Sequence, residues 1–178
     1  MKNIYLILGC SGSGKTTIVE ALEQTRGLTS IQSYTTRPKR TDNEKGHIFV
    51  SDKEFDKLTD LVAFTVFCNN RYGATAEQVE HNDLYIIDPS GVKYFREKYT
   101  GSKGVRVIYI KTSLVLRMER LEKRDGFDEA LKRIKNDIIE FKDAEMLADK
   151  TIINEEDGIS DTVGKVWEYI SQCEAETI

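Results

Sequence analysis

The chain has 178 residues, enough for one compact domain with a substantial apolar core. Its 26 basic and 30 acidic residues give a net charge of −4, which argues against a nucleic-acid groove or an anionic membrane surface as the main partner. Three cysteines without metal-ligand spacing support neither a disulfide framework nor a zinc site. Because the chain has no long apolar run and no charged leader before the first strand, we expect a cytoplasmic protein. Monomer and homodimer both stay open as its oligomeric state.

The first element is an apolar strand at 3–8, followed by a glycine-rich turn and a helix near 15–25. The turn has the spacing G-x-x-x-x-G-K-[ST], which turns backbone N–H groups toward a phosphate at a helix N-terminus. Lys15 can reach the β- and γ-phosphates, and the hydroxyl of Thr16 is a ligand for Mg²⁺. We therefore expect ATP with Mg²⁺ to bind here, with contacts from Gly9, Ser11, Gly12, Ser13, Gly14, Lys15, Thr16 and Thr17.

The pattern changes after a short predicted strand near 28–33. Short strands are predicted at 47–50, 61–67 and 71–75, and Ser51 to Glu54 form a capping box that begins a short helix. This pattern predicts an inserted subdomain rather than more of the alternating strand and helix units.

The segment from Ser33 to Arg40 is polar and ends in three cations, Arg37, Lys39 and Arg40. It is either a solvated basic loop or a site for a second anion beside the triphosphate. One arginine guanidinium group can donate hydrogen bonds to two phosphate oxygens at once, so the second interpretation places a phosphorylated acceptor here.

The next strand, predicted at 84–88, ends in the carboxylate of Asp88. Parallel sheets bind ligands at this edge, so Asp88 is a candidate contact for substrate or metal-bound water. The pair Asp88-Pro89 is also a good start for the helix predicted at 90–99, and the two roles are compatible.

A helix near 113–124 carries Arg117, Arg120 and Arg124 along the border of its apolar face, and Arg133 follows on the next helix. The like-charged pair Arg120 and Arg124 favours an anionic partner, although an ordinary salt-bridged surface helix is the alternative. The remaining elements predicted are a strand at 105–110, a helix at 128–147, a strand at 150–153 and a helix at 157–173. The alternation predicts an α/β fold with a largely parallel sheet of the P-loop NTPase type, flanked by helices.

These motifs together make the chain similar to the guanylate kinase family over nearly its whole length. The motifs that carry the resemblance are the P-loop, Ser33–Arg37 with Arg40, Gly46 leading into Phe49–Ser51 and Phe55, Tyr72–Gly73, Asp88 with Gly91, Arg120–Glu122 with Arg124, Arg133, and Ile153–Asn154. The resemblance implies one domain, 1–178. Its parts are a core (1–32, 83–116 and 137–178), an acceptor-binding insertion at about 33–82 and a helical lid at about 117–136.

The resemblance also implies roles for single residues. It assigns the acceptor phosphate to Arg37, Arg40 and Tyr72, and the acceptor base to Ser33 and Asp88. It assigns the transferring phosphates to Arg120, Arg124 and Arg133, and it puts Asn154 near the donor adenine. In the expected mechanism Lys15 and these arginines stabilise charge, while Arg37 and Arg40 align the attacking phosphate oxygen.

Three departures from the family pattern concern the acceptor. Ala63 stands where the family usually has a glutamate for guanine, Ala74 replaces a small hydroxyl residue, and His47 occupies the region of a phosphate-binding tyrosine. Thr65 lies on the same strand face as Ala63 and offers partial compensation. The expected reaction is phosphoryl transfer from ATP to a nucleoside monophosphate, with GMP or dGMP as the first choice. Another mononucleotide or a ribose bisphosphate is the alternative acceptor, and a non-catalytic protein-binding module is the alternative of a different class.

Overall fold

The computed structural model describes residues 1–39, 42, 44, 46–67, 69–155 and 158–176. Arg40 and Cys68 lie outside the described residues. In chain order the elements are β1 (Asn3–Leu8), α1 (Lys15–Arg26), β2 (Ser33–Thr35), β3 (His47–Phe49), α2 (Asp52–Phe55), β4 (Leu61–Phe67), β5 (Asn70–Thr75), α3 (Ala76–His81), β6 (Leu84–Ile86), α4 (Pro89–Lys98), β7 (Gly104–Lys111), α5 (Leu114–Asp125), α6 (Phe127–Glu140), α7 (Ala144–Leu147), β8 (Lys150–Ile153) and α8 (Ile159–Glu176). None of the helices in these ranges is long and apolar enough to cross a membrane.

The core is a parallel sheet with the strand order β6-β1-β7-β8. All six residues of β1 are buried, as expected for a strand that helices cover on both faces. Tyr5 and Ile7 pack in a cluster with α1 and α8, whereas Ile4 and Leu6 pack in another with α4 and α7. The predicted helix-flanked parallel sheet is therefore confirmed, and its carboxyl edge holds the loops that follow β1 and β6.

A second sheet with the order β3-β2-β5-β4 is built from the chain between the first helix and β6. Its strands are antiparallel except for β2 and β3, and β4 packs against α4 of the core. The predicted capping box is present, because Ser51 Oγ accepts from Glu54 N and the Glu54 carboxylate accepts from Ser51 N. All four strands of this sheet fall within the predicted insertion.

Two predicted elements differ from the structure, and the structure has one helix that was not predicted. The strand expected near 28–33 is wrong: Ser30 makes one isolated bridge to Leu84, and the next strand begins at Ser33 in the second sheet. Leu28 and Ile31 are apolar because they pack in the core rather than because they pair in a ladder. The helix predicted at 128–147 is divided, since α6 ends at Glu140 and α7 begins at Ala144. The short helix α3, capped by Thr75 and Gln78, was not predicted.

Helices α5 and α6 form a hairpin joined at Gly126, which has a φ of 84°. Leu121, Ala130 and Ile134 form the small apolar cluster between them. Leu114, at the start of α5, is half exposed, whereas Leu121 is fully buried. The hairpin lies over the loop that follows β1: a Cβ on Gly12 would be only 3.2 Å from Cγ of Leu121.

Candidate functional site

The loop between β1 and α1 has the conformation of a phosphate cradle. Gly12 and Gly14 adopt φ values of 77° and 92°, which favour glycine. A Cβ on Gly14 would also lie 2.6 Å from Nδ2 of Asn154, so the packing of the loop requires glycine there. Lys15 begins the helix, and its Nζ donates to the carbonyl oxygens of Gly9 and Cys10, the second at 3.0 Å. The free N–H groups of a helix N-terminus and a lysine ammonium thus meet at one place, which suits a phosphate.

The ammonium group of Lys15 sits in an environment that disfavours its charge. Burial lowers the pKa of Lys15 to about 8, although the negative charge of Asp137 acts in the opposite direction. A bound phosphate would place more negative charge beside Nζ and raise this pKa again.

Asn154 supports the cradle from behind. Its side chain is buried, with Nδ2 donating to the carbonyl oxygen of Ser13 at 2.8 Å and Oδ1 accepting from Thr162 at 2.9 Å. The hydroxyl of Thr112 lies within 3.3 Å of the same Ser13 carbonyl. Asn154 therefore holds the loop in shape, and its predicted role near the donor adenine stays a prediction.

A buried ion pair ties the helical hairpin to the cradle. Asp137 Oδ2 accepts from the backbone N–H of Ser11 at 2.7 Å and from Arg117 Nη1 at 3.0 Å. Its other oxygen accepts from the Ser11 hydroxyl at 3.2 Å. The sequence analysis did not identify Asp137. A signal was available, because Asp137 continues the buried stripe of Ala130 and Ile134 at helical spacing.

A first cavity of about 340 Å³ lies over the cradle and gathers the predicted phosphate-binding cations. Arg120 Nη1 donates to the carbonyl oxygen of Gly12 at 3.2 Å, and Asp125 accepts from Arg124 at 2.7 Å and pairs with Arg133 at 3.2 Å. Asp125 is thus an anionic partner that holds two of the arginines beside the cavity. The lining residues are Ser11, Gly12, Ser13, Gly14, Lys15, Thr16, Thr17, Arg120, Leu121, Arg124 and Arg133.

A second cavity of about 220 Å³ lies between the core sheet, the second sheet and α6. Of the predicted acceptor residues, Ser33, Tyr72 and Asp88 line it. Gly9, which was expected to contact ATP, lines this cavity and not the first. It shares two wall residues with the first cavity, Ser11 and Lys15. The two cavities therefore meet at the lysine of the cradle.

Arg37 does not line this cavity in the structure. Glu44 binds its guanidinium through two hydrogen bonds, at 2.6 and 3.3 Å, and the group lies 5.3 Å from the centre of the Phe49 ring. Partial burial would lower the pKa of Arg37, but the hydrogen bond and the charge of Glu44 outweigh it and raise that pKa. The predicted contact of Arg37 with an acceptor phosphate stays a prediction, as does that of Arg40, which is outside the described residues.

Comparison with known proteins decides the family. The family model of guanylate kinase matches residues 1–173. The chain belongs to the guanylate kinase family. A guanylate kinase of Neisseria meningitidis is 33% identical over 118 residues, which cover 60% of this chain and 58% of that relative's length. A guanylate kinase of Yersinia pestis is 28% identical over 152 residues, covering 78% of this chain and 73% of the relative. The crystal structure of guanylate kinase from Anaplasma phagocytophilum shares the fold, with a TM-score of 0.67 and 21% identity over 96% of this chain and 85% of that one.

The wall of the second cavity in this guanylate kinase family chain includes two residues singled out from the sequence, Thr65 and His47. Ala63 and Ala74 pack together in the apolar core and do not line the cavity, whereas Thr65 does. His47 also lines it, with Nδ1 lying 2.9 Å from Ser33 Oγ and the ring edge-on to Tyr72. Thr65 and His47 thus supply a hydroxyl and an imidazole group to the wall of the cavity, and Ala63 and Ala74 contribute nothing to it.

Three carboxylates also line the cavity of this guanylate kinase family chain, from Asp88, Asp137 and Glu140. Burial raises the pKa of Glu140 to about 7, with further increases from the charges of Asp88 and Asp137 and a smaller decrease from Lys15. Asp88 caps α4, as the sequence predicted, since its Oδ1 accepts from Gly91 N at 2.6 Å. A carboxylate whose pKa is raised to about 7 therefore lines the second cavity.

Proposed function

We propose that the protein transfers the γ-phosphoryl group of ATP to a purine nucleoside monophosphate, with GMP or dGMP as the preferred acceptor, and releases ADP and the nucleoside diphosphate. The observation that carries the proposal is that the two cavities share Ser11 and Lys15. A donor phosphate over the cradle and an acceptor in the second cavity would then approach each other beside one ammonium group, which is the arrangement for in-line transfer.

The residues act in this scheme mainly through charge and position. An oxygen of the acceptor phosphate attacks the γ-phosphorus, and the bond from that phosphorus to the β,γ-bridging oxygen breaks, leaving ADP. Lys15, Arg120 and Arg124, with Arg133, would stabilise the charge on the transferring group, and Arg37 would leave Glu44 to align the acceptor phosphate. We propose that α5 and α6 serve as the lid, at about 117–136, whose closure excludes water from the reacting groups.

The residues present fit a magnesium ion that arrives with ATP. Thr16 lines the phosphate cavity, and a threonine hydroxyl with phosphate oxygens and water is a typical ligand set for Mg²⁺. Within the described residues, no group of three or more His, Cys, Asp or Glu side chains is placed to hold a metal by itself. An ion held there would offset the negative charge of the transferring phosphates.

The chemistry of the second cavity supports a nucleotide rather than a sugar bisphosphate as the acceptor. Asp88, together with Glu140 when it is ionised, would repel a second phosphate group, whereas carboxylates attract the N–H groups of a base. A planar ring also suits the aromatic and aliphatic part of the wall, which comes from Tyr72, Tyr85, Ile86, Ile87 and Phe141.

The intact cradle supports an enzyme rather than a protein-binding module, because Lys15 and the glycines have no evident use in a scaffold. Measured ATP binding would separate these two possibilities. The cytoplasmic location and the absence of nucleic-acid and membrane partners stay predictions from the sequence.

The test is a coupled assay of ADP release with ATP, Mg²⁺ and a panel of acceptors: GMP, dGMP, IMP, AMP, UMP, CMP and ribose 1,5-bisphosphate. Lys15→Ala is the matched control, and we expect it to lower the rate at least about a hundredfold while leaving the fold intact. Turnover of a sugar bisphosphate in preference to every mononucleotide, or equal rates for a folded Lys15→Ala variant and the wild type, would contradict the proposal.

A further inference from the structure

A chain of three oxygen atoms joins the core to the second sheet at the wall of the acceptor cavity. Ser90, in the first turn of α4, donates its hydroxyl hydrogen to Asp88 Oδ1 at 2.8 Å. Its oxygen lies 3.1 Å from the hydroxyl oxygen of Thr65 on β4. Thr65 and Asp88 both line the cavity, and Ser90 stands between them.

The direction of the hydrogen bonds along this chain follows from counting hydrogens. A carboxylate only accepts, and each hydroxyl has one hydrogen to donate. Because Ser90 gives its hydrogen to Asp88, the hydrogen between Ser90 and Thr65 must come from Thr65. The lone pairs of the Thr65 oxygen then remain available to the cavity, so that Thr65 can accept a hydrogen bond from a ligand but not donate one.

We infer that Thr65 is a specificity-determining residue of the acceptor site, and that Ser90 is the positioning residue that makes Thr65 an acceptor. This inference rests on the proposed function and concerns the identity of the base. Asp88 and Thr65 offer two acceptors, one on each side of Ser90, to the edge of the bound base. Guanine presents two adjacent donors on one edge, the ring N1–H and the 2-amino group. Hypoxanthine has only the N1–H donor. In adenine N1 carries no hydrogen and is itself an acceptor, so it cannot form a hydrogen bond with the acceptor oxygen of Thr65.

The neighbouring residues explain why this role falls to Thr65. Ala63, two positions earlier on β4, has no polar atom and is buried in the core cluster. Thr65 is only partly buried and lies opposite Tyr72 in the strand pair, at the cavity wall. The Thr65 hydroxyl, oriented by Ser90, therefore supplies the hydrogen-bond acceptor that the Ala63 side chain cannot supply.

The experiment compares kcat/KM for GMP, IMP and AMP in the wild type and in three variants. Thr65→Val, which keeps the shape but removes the acceptor, should lower kcat/KM for GMP about tenfold and leave AMP within about twofold, because a guanine donor is left unpaired. Thr65→Ser should retain the preference for GMP. Ser90→Ala should raise kcat/KM for AMP by about threefold or more, because the Thr65 hydroxyl is then free to rotate and donate to N1 of adenine.

A loss of packing alone cannot raise the use of AMP, so the Ser90→Ala result separates positioning from structural damage. Thr25→Val is the matched control, because its hydroxyl bonds only the Ala21 carbonyl on α1 and should leave all three acceptors unchanged. Calorimetric binding of GMP and AMP without ATP should give the same order of preference.

The outcomes separate this inference from the proposed function. If the wild type phosphorylates GMP and Thr65→Val keeps the wild-type ratio of GMP to AMP, the inference fails and the proposed function stands. If no mononucleotide is phosphorylated but GMP binds and Thr65→Val weakens that binding, the inference stands and the proposed reaction fails. If the wild type neither binds nor phosphorylates GMP, both are overturned.

Discussion

The ion pair between Asp137 and Arg117 should be the most sensitive single interaction at the junction of the hairpin and the phosphate loop. Asp137→Asn keeps the size of the side chain and one oxygen to accept from Ser11 N, but it removes the negative charge. Both members of the pair are more than nine-tenths buried, so that Arg117 would keep a buried charge without its counter-ion. Nε of Arg117 already lacks a hydrogen-bond partner among the described residues, which leaves the guanidinium little other compensation.

The size of the effect follows from this burial. Removing one partner of a buried ion pair costs about 3–5 kcal/mol, and we expect about 3 kcal/mol because the amide retains a hydrogen bond to Ser11. That is a large part of the 5–15 kcal/mol by which domains are typically stable. The matched control is Glu145→Gln, which breaks the pair with Lys111 at 2.8 Å, where both side chains are about half exposed. Surface pairs of this kind contribute about 0–1 kcal/mol.

The measurement is equilibrium urea denaturation of the wild type and both variants. A loss of about 3 kcal/mol corresponds to a fall of about 1–2 M in the midpoint, with an unchanged slope. The double variant Arg117→Met with Asp137→Asn should recover part of the loss, since it removes the unpaired buried charge and keeps an oxygen to accept from Ser11 N. A free energy of unfolding for Asp137→Asn within about 0.5 kcal/mol of the Glu145→Gln value would show that this reasoning about burial is wrong.

Three further predictions concern ligand binding and pH. Because the pKa of Lys15 is lowered to about 8 and bound phosphate would raise it, ATP binding near pH 9 should take up about one proton, measured as a buffer-dependent enthalpy; near pH 6 the uptake should vanish. Arg37→Ala should mainly raise KM for the acceptor, whereas Arg124→Ala should mainly lower kcat, because lid contacts complete only on closure. Identical defects in steady-state kinetics would contradict that division. The pKa of Glu140 is raised to about 7 in the folded protein, so the free energy of unfolding falls as the pH rises from the ordinary pKa of a glutamate through 7. Glu140→Gln should therefore raise Tm at about pH 8 and change it little at about pH 5; an equal shift at both would rule this out.

Much of the fold and part of the site were predictable because their signals are local. The P-loop occupies eight consecutive residues, Gly9 to Thr16, between a strand and a helix whose patterns are clear in isolation. The cap at Asp88 and the capping box at Ser51 involve groups no more than three residues apart. The strand near 28–33 was wrong because apolar residues at Leu28 and Ile31 have the same pattern whether they pair in a sheet or pack beneath one.

The sequence by itself determined the phosphate loop, the parallel core and some of the polar residues that line the candidate site, such as Ser33, Tyr72 and Asp88, since each depends on residue type and short spacing. The tertiary structure alone decided which distant groups meet. Ser11 and Asp137 are 126 positions apart and Thr65 and Ser90 are 25 apart, yet each pair is joined by a hydrogen bond. The physical reason is that hydrogen-bond direction, burial and charge pairing depend on distances of about 3 Å, and the folded chain sets these through packing that no local pattern encodes.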